Sequence, residues 1–200
     1  MERRMRKVSV SVLAGASCLV ALPAARADWI QWSSSQGGND HFYNAVSVPG
    51  GLTWQEARVG AESLGGYLVT LTSEAENTFV FGLVDSPEFW FPSGGHNHGP
   101  WLGGLQPPGS PEPGGGWEWM SGEPWDYTNW HPAQPDNDGD QDRLIFYSSD
   151  MFRAATWDDL GGSQVPIRGY VVESAVPVPG TLALMSVGLV ALKRRTRAAS

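Results

Sequence analysis

Two segments in the first half of the chain repeat apolar residues at helical spacing, and each begins with a capping pattern. The residues TWQE from position 53 and SEAE from position 73 fit Ser/Thr-x-x-Glu, in which two backbone donors at a helix start are satisfied reciprocally. The sequence therefore predicts helices at about 53–64 and 74–83. The stripe of the first helix that faces the core is predicted to hold Trp54, Ala57, Ala61 and Leu64.

After position 85 the helical spacing disappears, and short apolar runs alternate with turns rich in glycine and proline. Such runs are typical of strands. The stretch 105–116 contains so much proline and glycine that it predicts an irregular exposed loop. Helices followed by short strands favour an α+β domain. The predicted strands are 41–48, 67–71, 100–105, 116–120, 143–148, 154–157 and 168–173.

The composition narrows the class of protein. Of the 200 residues, 25 are glycine and 15 are proline, which argues against a helical bundle, a coiled coil or a doubly wound enzyme. An apolar content of 41% with 11% aromatic residues excludes a disordered chain. Because the length suits one hydrophobic core, we expect a single domain.

The N-terminal end has the composition of a processing signal. Basic residues at positions 3, 4, 6 and 7 precede an apolar run at 8–22 and the sequence Ala25-Arg26-Ala27. This order is typical of a secretory signal peptide. Residues 1–27 are therefore predicted to be removed during export.

The C-terminal end, residues 176–200, has a Pro-Gly break at 179–180, an apolar run at 181–192 and a basic cluster from Lys193. This arrangement is a marginal membrane segment with its charges on the cytoplasmic side. It resembles a PEP-CTERM tail, the bacterial sorting signal recognised by an exosortase, although Val178 stands where that motif usually has glutamate. The resemblance implies transient anchoring in the inner membrane, removal of the tail and release to the cell surface or extracellular matrix. A plain C-terminal anchor is the alternative.

Without its two ends the chain is strongly acidic. Residues 28–175 contain 4 Lys and Arg against 20 Asp and Glu, which gives a formal charge of −16. Such a surface repels nucleic acids and anionic membranes and attracts divalent cations. The one cysteine, Cys18, lies in the predicted signal peptide. The exported domain therefore has no disulfide, and its stability must come from its core, a bound metal or both.

Four stretches rich in tryptophan and glycine follow one another between about 41 and 173. They are Trp54-x-x-Ala57 with GGYLV from 65; WLGG from 101; WEW from 117 with GEP from 122 and NW from 129; and WDD from 157 with GYVVE from 169. In this order they resemble the C-type lectin-like domains. The resemblance implies an α+β double-loop fold with two helices, small antiparallel sheets, paired terminal strands and a long loop that often holds calcium.

The disulfides of that family are absent from this chain. In the resemblance, Ala61 and Val172 occupy one pair of cysteine positions, and Arg143 and about Gly162 occupy the other. Packing of Ala61 against Val172 is expected to replace the first bridge, whereas nothing obvious in the sequence replaces the second. We therefore expect the long loop to be more mobile without metal.

An acidic loop at 130–142 carries the predicted function. The resemblance implies that Gln134-Pro135-Asp136 joins Asp158 and Asp159 around one calcium ion, with Asp158 standing where the family usually has asparagine. The implied calcium ligands are thus Gln134, Asp136, Asp158 and Asp159, and the implied sugar-binding residues are Gln134, Asp136 and Asp158.

The chemistry of these residue types supports that assignment. Calcium takes about six to eight oxygen ligands, which carboxylates and amide carbonyls supply. Gln134 has a carbonyl for the metal and amide hydrogens for a sugar hydroxyl, and Asp136 has one oxygen for each partner. Two neighbouring sugar hydroxyls would complete the coordination, so we expect chelation to abolish binding. Family usage links the glutamine form to galactose-type sugars, although no aromatic residue directly follows the tripeptide here.

A further calcium ligand is expected shortly before Arg143. Alignment with the family places it at Gln141, and a shift of one residue places it at Asp140 or Asp142; Asp140 is favoured. The alternating acids also resemble an EF-hand loop. That alternative is rejected because Gln141 stands where the loop needs glycine and no glutamate closes it.

Other candidate sites in the sequence are weaker. His96-x-His98 has no third metal ligand in spacing. In the resemblance, core positions of the family are held by at least Trp54, Trp101, Trp117, Trp130 and Trp157. Trp125 and Phe152 lie near the ends of the loop and are candidates for stacking on a sugar.

The sequence predicts a binding protein rather than an enzyme. It contains no cysteine nucleophile outside the signal peptide, no H-E-x-x-H motif and no phosphate loop. We expect an exported, calcium-dependent carbohydrate-binding module whose partners are glycans or exopolysaccharide at the cell surface. The alternative is a lectin-like scaffold that binds protein or serves the matrix, with calcium only stabilising its loop.

Overall fold

The structure of the chain is a computed structural model that describes residues 29–163 and 166–177. The predicted signal peptide and nearly all of the predicted sorting tail lie outside the described residues. Within the described part, we find no helix with the length and apolar character that a membrane crossing requires.

Both helices form where the capping patterns predict them, α1 at Trp54–Ser63 and α2 at Glu74–Val84. Thr53 caps the N–H of Glu56, and the Glu56 carboxylate accepts from the N–H of Thr53, which completes the capping box of α1. At α2 only half of the box forms. Ser73 caps the N–H of Glu76, but the Glu76 carboxylate accepts instead from the N–H and hydroxyl of Thr72.

The strands are β1 Ile30–Gln31, β2 Phe42–Ser47, β3 Tyr67–Leu68, β4 Phe91–Ser93, β5 His96–Leu105, β6 Glu118–Trp119, β7 Arg143–Ser148, β8 Trp157–Leu160 and β9 Gly169–Ser174. Within the described residues they form one sheet in the order β1-β2-β9-β5-β7-β8, with β3 beside β9 and with β4 and β6 beside β5. The terminal strands β2 and β9 pair antiparallel over their whole length, as the resemblance implies.

Two strands differ from the sequence-based prediction in their position. β5 begins at His96 rather than at 100, because β4 and β5 form a hairpin around Gly94 and Gly95, which both have positive φ. β8 covers Trp157–Leu160 rather than 154–157. The Tyr147 N–H donates to the Thr156 carbonyl, and the residues between them form an irregular turn.

The core has two apolar clusters that share the sheet. Ala61 and Val172, which stand at the first pair of cysteine positions, are both fully buried in the cluster beneath α1. At the second pair, the Arg143 guanidinium lies 4.7 Å from the ring centroid of Trp54. A Cβ atom added at Gly162 would lie 3.0 Å from Arg143 Cγ. A packed arginine therefore fills the place of the second bridge, a replacement that the sequence analysis did not find.

Candidate functional site

The loop that carries the predicted ligands is fixed to the edge of β8. The Trp157 N–H donates to the Asn129 carbonyl at 2.9 Å, and the His131 N–H donates to the Trp157 carbonyl at 2.8 Å. Trp130 forms a parallel bridge with Trp157. The loop therefore leaves the sheet beside the strand that carries Asp158 and Asp159.

A tight turn then brings Gln134 and Asp136 together. The Gln134 N–H donates to the His131 carbonyl at 2.9 Å, Ala133 has a φ of 73°, and the Gln134–Pro135 peptide bond is cis. The Gln134 side-chain Nε2 lies 3.4 Å from Asp136 Oδ2. Two of the predicted ligands thus share one end of the loop.

Asp159 holds this end of the loop in place. Its fully buried carboxylate accepts from the N–H of Asp136 at 3.0 Å through Oδ1 and from the N–H of Asn137 at 2.8 Å through Oδ2. Burial raises the pKa of Asp159, whereas the two loop N–H groups act in the opposite direction. Each oxygen of Asp159 therefore already has a backbone donor in the loop.

One carboxylate oxygen of Asp158 accepts no hydrogen bond from the described residues. The residue is 5% exposed, and its Oδ1 has no hydrogen-bond partner within the described residues. Burial, followed by the nearby charges of Asp159 and Asp136, raises the pKa of Asp158 to about 8. Gln134 Oε1 is buried and equally without a donor in that part of the chain. The site therefore contains two buried oxygen acceptors in a negative environment, which is the surrounding that a hard cation requires.

The side chain of Asp140 lines a cleft that none of the other four predicted ligands lines. Asp140 is exposed, has a φ of 73°, and lines a cleft of about 430 Å³ together with Thr53, Trp54 and Arg143. Asp142 lines the same cleft and forms a 2.9 Å ion pair with Arg143.

Gln141 is the residue of this stretch that points into the loop. It is 8% exposed, and its Oε1 accepts from the Asp138 N–H at 2.8 Å. Its own N–H donates to Asn137 Oδ1 at 2.7 Å. Gln141 therefore ties the loop to itself at the position where the family alignment puts a ligand.

The weaker candidates of the sequence analysis separate clearly. Within residues 29–163 and 166–177, no group of three or more His, Cys, Asp or Glu side chains is arranged to hold a metal ion, and this holds for Asp136, Asp158 and Asp159 as well as for the two histidines. The rings of His96 and His98 instead pack on Tyr147, at centroid distances of 5.8 and 5.7 Å. Trp125 packs 4.4 Å from Trp119 and belongs to the core, whereas Phe152 is 78% exposed.

Two side chains around the site were missed by the sequence analysis. The Tyr147 ring lies 5.2 Å from the His131 ring, and its hydroxyl is 2.7 Å from His96 Nδ1. Asn97 is 5% exposed and donates to the backbone carbonyls of the β7–β8 turn. Both roles depend on contacts between segments about 50 residues apart, for which the local sequence carries no signal.

No protein-family model matches the chain. A perlucin-like protein of Mytilus galloprovincialis is 29% identical over 123 residues, which cover 61% of this chain and 68% of that protein. The C-type mannose receptor 2 of Mus musculus is 32% identical over 90 residues, which cover 45% of this chain and 5% of the receptor. The chain thus corresponds to a small part of the receptor's length.

Solved structures decide the fold. The C-type carbohydrate-recognition domain of cow CD23 matches with a TM-score of 0.53 at 22% identity, over 74% of this chain and 94% of that one. The chain has a C-type lectin-like fold. Herring type II antifreeze protein matches with a TM-score of 0.56 at 20% identity, over 75% of this chain and 98% of that one.

The C-type lectin-like fold confirms the α+β double-loop architecture expected from the sequence. The mannose receptor and the carbohydrate-recognition domain of CD23 are named for binding and not for catalysis, in agreement with the sequence analysis. The fold does not decide what is bound, since a carbohydrate-recognition domain and an antifreeze protein share it.

Proposed function

We propose that the chain is an exported carbohydrate-binding module that holds sugar through a calcium ion. The observation that carries this proposal is the pair of buried, unpartnered oxygens, Gln134 Oε1 and Asp158 Oδ1, near the exposed carboxylate of Asp136. An unsatisfied buried acceptor is costly, and a cation that accepts electron pairs from such oxygens removes the cost.

The donor set fits calcium. Carboxylate and amide oxygens are hard ligands, and none of the proposed ligands offers sulfur or imidazole, which transition metals prefer. The formal charge of −16 on residues 28–175 favours a divalent cation over an anionic ligand. Gln134, Asp136 and Asp158 would hold the ion through side-chain oxygens, and Asp159 would contribute while it fixes the loop.

Each residue then has a distinct role toward the sugar. When bound, calcium would offer open coordination positions to two neighbouring hydroxyl groups. The amide of Gln134 donates to one hydroxyl, and an oxygen of Asp136 accepts from the other. Asp158 keeps its position because it is buried in β8, and Asp159 orients Asp136 through the backbone.

The further ligand remains a prediction. For Asp140 to serve, its side chain must turn from the cleft toward the loop, whereas Gln141 already lies inside the loop. Two variants decide between these residues. If Asp140→Asn changes the calcium affinity little and Gln141→Ala lowers it strongly, the further ligand is Gln141. The opposite result would assign it to Asp140.

A second candidate function is a lectin-like scaffold that binds no sugar. The observation in its favour is that Asp159 and Gln141 hold the loop through hydrogen bonds with its own backbone and side chains. In this case calcium would only stabilise the loop, and the partner would be a protein or the matrix.

Export and sorting belong to the same proposal. We infer that an exosortase removes the tail at 176–200 after transient membrane anchoring, which releases the domain to the cell surface or the exopolysaccharide around it. The proposal is supported by the order of proline, apolar and basic residues in the tail. Mass spectrometry of the mature protein tests it, and a chain that retains residues 181–200 would contradict it.

A glycan array tests the proposed function directly. The wild-type protein is probed once with calcium at about 1 mM, near the affinity of extracellular calcium modules, and once with a chelator. The double variant Gln134→Ala/Asp136→Ala and the control Asp138→Asn are probed beside it. We expect calcium-dependent signals that the double variant loses and the control keeps. If the wild-type protein binds no glycan on the array in either condition, the result would favour the scaffold instead.

A further inference from the structure

The turn between β7 and β8 presents two large apolar side chains to solvent. Phe152 is 78% exposed and Met151 is 60% exposed, and Phe152 is the most exposed large apolar residue in the described part of the chain. Apolar surface of this kind is unfavourable in water unless a ligand covers it. We call Met151 and Phe152 the apolar tip.

The apolar tip is held rigidly rather than left free. Asp150 Oδ1 accepts from the Phe152 N–H and from the Ser148 hydroxyl, each at 2.8 Å. The buried side chain of Asn97 donates to the carbonyls of Met151 and Phe152, at 3.4 and 3.1 Å. A buried amide that supports the backbone of an exposed turn keeps the Phe152 backbone in one position, so the place from which the ring projects is fixed before any ligand arrives.

The turn that carries the apolar tip joins the two strands that border the candidate sugar site, since Asp158 and Asp159 lie on β8. The turn follows directly on Tyr147, whose ring contacts the His131 ring at 5.2 Å. The carbonyl of His131 accepts from the N–H of Gln134, the first residue of the proposed ligand pair. Burial, followed by the charges of Asp158 and Asp136, raises the pKa of Tyr147. Two contacts, Tyr147 with His131 and His131 with Gln134, therefore lead from the end of β7, three residues before the apolar tip, to the loop that carries the candidate sugar site.

We propose that Phe152, supported by Met151, is a second contact for the same glycan. One sugar unit occupies the site at Gln134, Asp136 and Asp158, and the neighbouring unit of the chain packs its apolar face on the Phe152 ring. The inference rests on the proposed function, and it adds a preference for oligosaccharides over single sugars.

A saccharide suits the apolar tip better than the other partners do. Two side chains cover far less than the area of about 1,000 Å² that a stable protein interface needs. The strongly negative charge of the domain opposes an anionic membrane. A pyranose ring has an apolar face that matches one aromatic side chain, and its hydroxyl edges stay in water.

The test compares single sugars with longer saccharides that contain them. The full-length protein is titrated, with calcium present, with galactose and lactose, with mannose and mannotriose, and with N-acetylglucosamine and chitotriose. The variants are Phe152→Ala, Phe152→Trp and the control Val59→Ala, which shortens an exposed apolar side chain on α1. Thermal unfolding of each variant reports on the fold.

We expect Phe152→Ala to weaken binding of the longer saccharide roughly fivefold while binding of the single sugar changes less than about twofold, because one aromatic contact contributes that much. Phe152→Trp restores the affinity, and Val59→Ala does not change it. Two outcomes would overturn the inference but leave the proposed function intact. One is equal affinity of the wild type and Phe152→Ala for the longer saccharide, and the other is an equal loss of affinity of Phe152→Ala for the single sugar and for the longer saccharide. A wild-type protein that binds none of the six saccharides would overturn both.

Discussion

Asp159 allows a sharp test of how the loop is fixed. The substitution Asp159→Asn keeps the size of the side chain and removes one of its two acceptor oxygens. The wild-type carboxylate accepts from the N–H groups of Asp136 and Asn137, at 3.0 and 2.8 Å. The asparagine oxygen can accept from only one of them, and its amide group faces the other donor.

The magnitude follows from these two bonds. Each hydrogen bond to an ionised group contributes about 2 kcal/mol, and the single neutral bond that remains contributes about 1 kcal/mol. The loss of about 3 kcal/mol is offset by about 1 kcal/mol, because asparagine avoids burying a charge. A net loss of about 2 kcal/mol corresponds to a roughly 30-fold larger equilibrium constant for opening of this end of the loop.

Hydrogen exchange of the backbone amides, measured without calcium, checks this value. We expect the amides of Asp136 and Asn137 to exchange roughly 30-fold faster in Asp159→Asn, since exchange reports local opening. The matched control is Asp138→Asn, which makes the same charge change in the same loop at a side chain with no hydrogen bond in the described structure. Unchanged exchange at Asp136 and Asn137 would refute the role of Asp159 in holding this end of the loop.

Three further predictions concern the rest of the fold. Burial raises the pKa of Glu173 to about 7 from an ordinary value of 4.5, so folding favours its protonated form and the free energy of unfolding should fall as the pH rises from about 4.5 to 7. In urea titrations Glu173→Gln should make this fall shallower without removing it, because the raised pKa of Asp158 contributes to it in the same pH range. The double substitution Arg143→Cys/Gly162→Cys should form a disulfide that closes a loop of about 20 residues. After subtraction of the lost contact between Arg143 and the Trp54 ring, it should raise the free energy of unfolding by about 2 kcal/mol, and the melting temperature should drop on reduction. Asn77→Leu removes the 2.8 Å acceptor of the buried indole N–H of Trp157 and should cost about 2 kcal/mol in urea unfolding; a cost below about 0.5 kcal/mol would contradict the bond's role.

The helices could be predicted because their signals are local. The capping residues Thr53 and Ser73 stand at the start of both helices, and strand β7 has the bounds that its apolar run predicts. The beginning of β5 could not be predicted in this way. His96, Asn97 and His98 are polar or half-polar, and they become strand because β4 and β7 pair with them from either side.

In the candidate site, too, local grouping could be predicted from the sequence whereas loop conformation could not. Gln134 and Asp136 share one turn, and Asp158 and Asp159 share one strand, so that the spacing of residues was enough to group them. That they bind calcium stays a prediction. The positions of Asp140 and Gln141 depend on the conformation of an irregular loop with left-handed residues at Asn137 and Asp140, and alternation along the sequence says nothing about that conformation.

The replacement of the second disulfide shows a further limit. Nothing in the sequence indicates that an arginine will pack against a glycine. The contact of Arg143 with Trp54 arises only because the start of α1 lies beside the start of β7. A sequence comparison identifies the missing cysteines but not the cation over an indole ring that fills their place.

Calorimetric titration with calcium tests the central claim most directly. The account predicts one ion per chain with a Kd of about 0.1 to 1 mM in the wild-type protein, as in extracellular calcium modules. It predicts at least tenfold weaker binding in Asp158→Ala, which loses the buried oxygen that asparagine would keep, and unchanged binding in Asp138→Ala. Absence of binding by the wild-type protein at about ten times that concentration, or equal affinity in Asp158→Ala, would contradict the account.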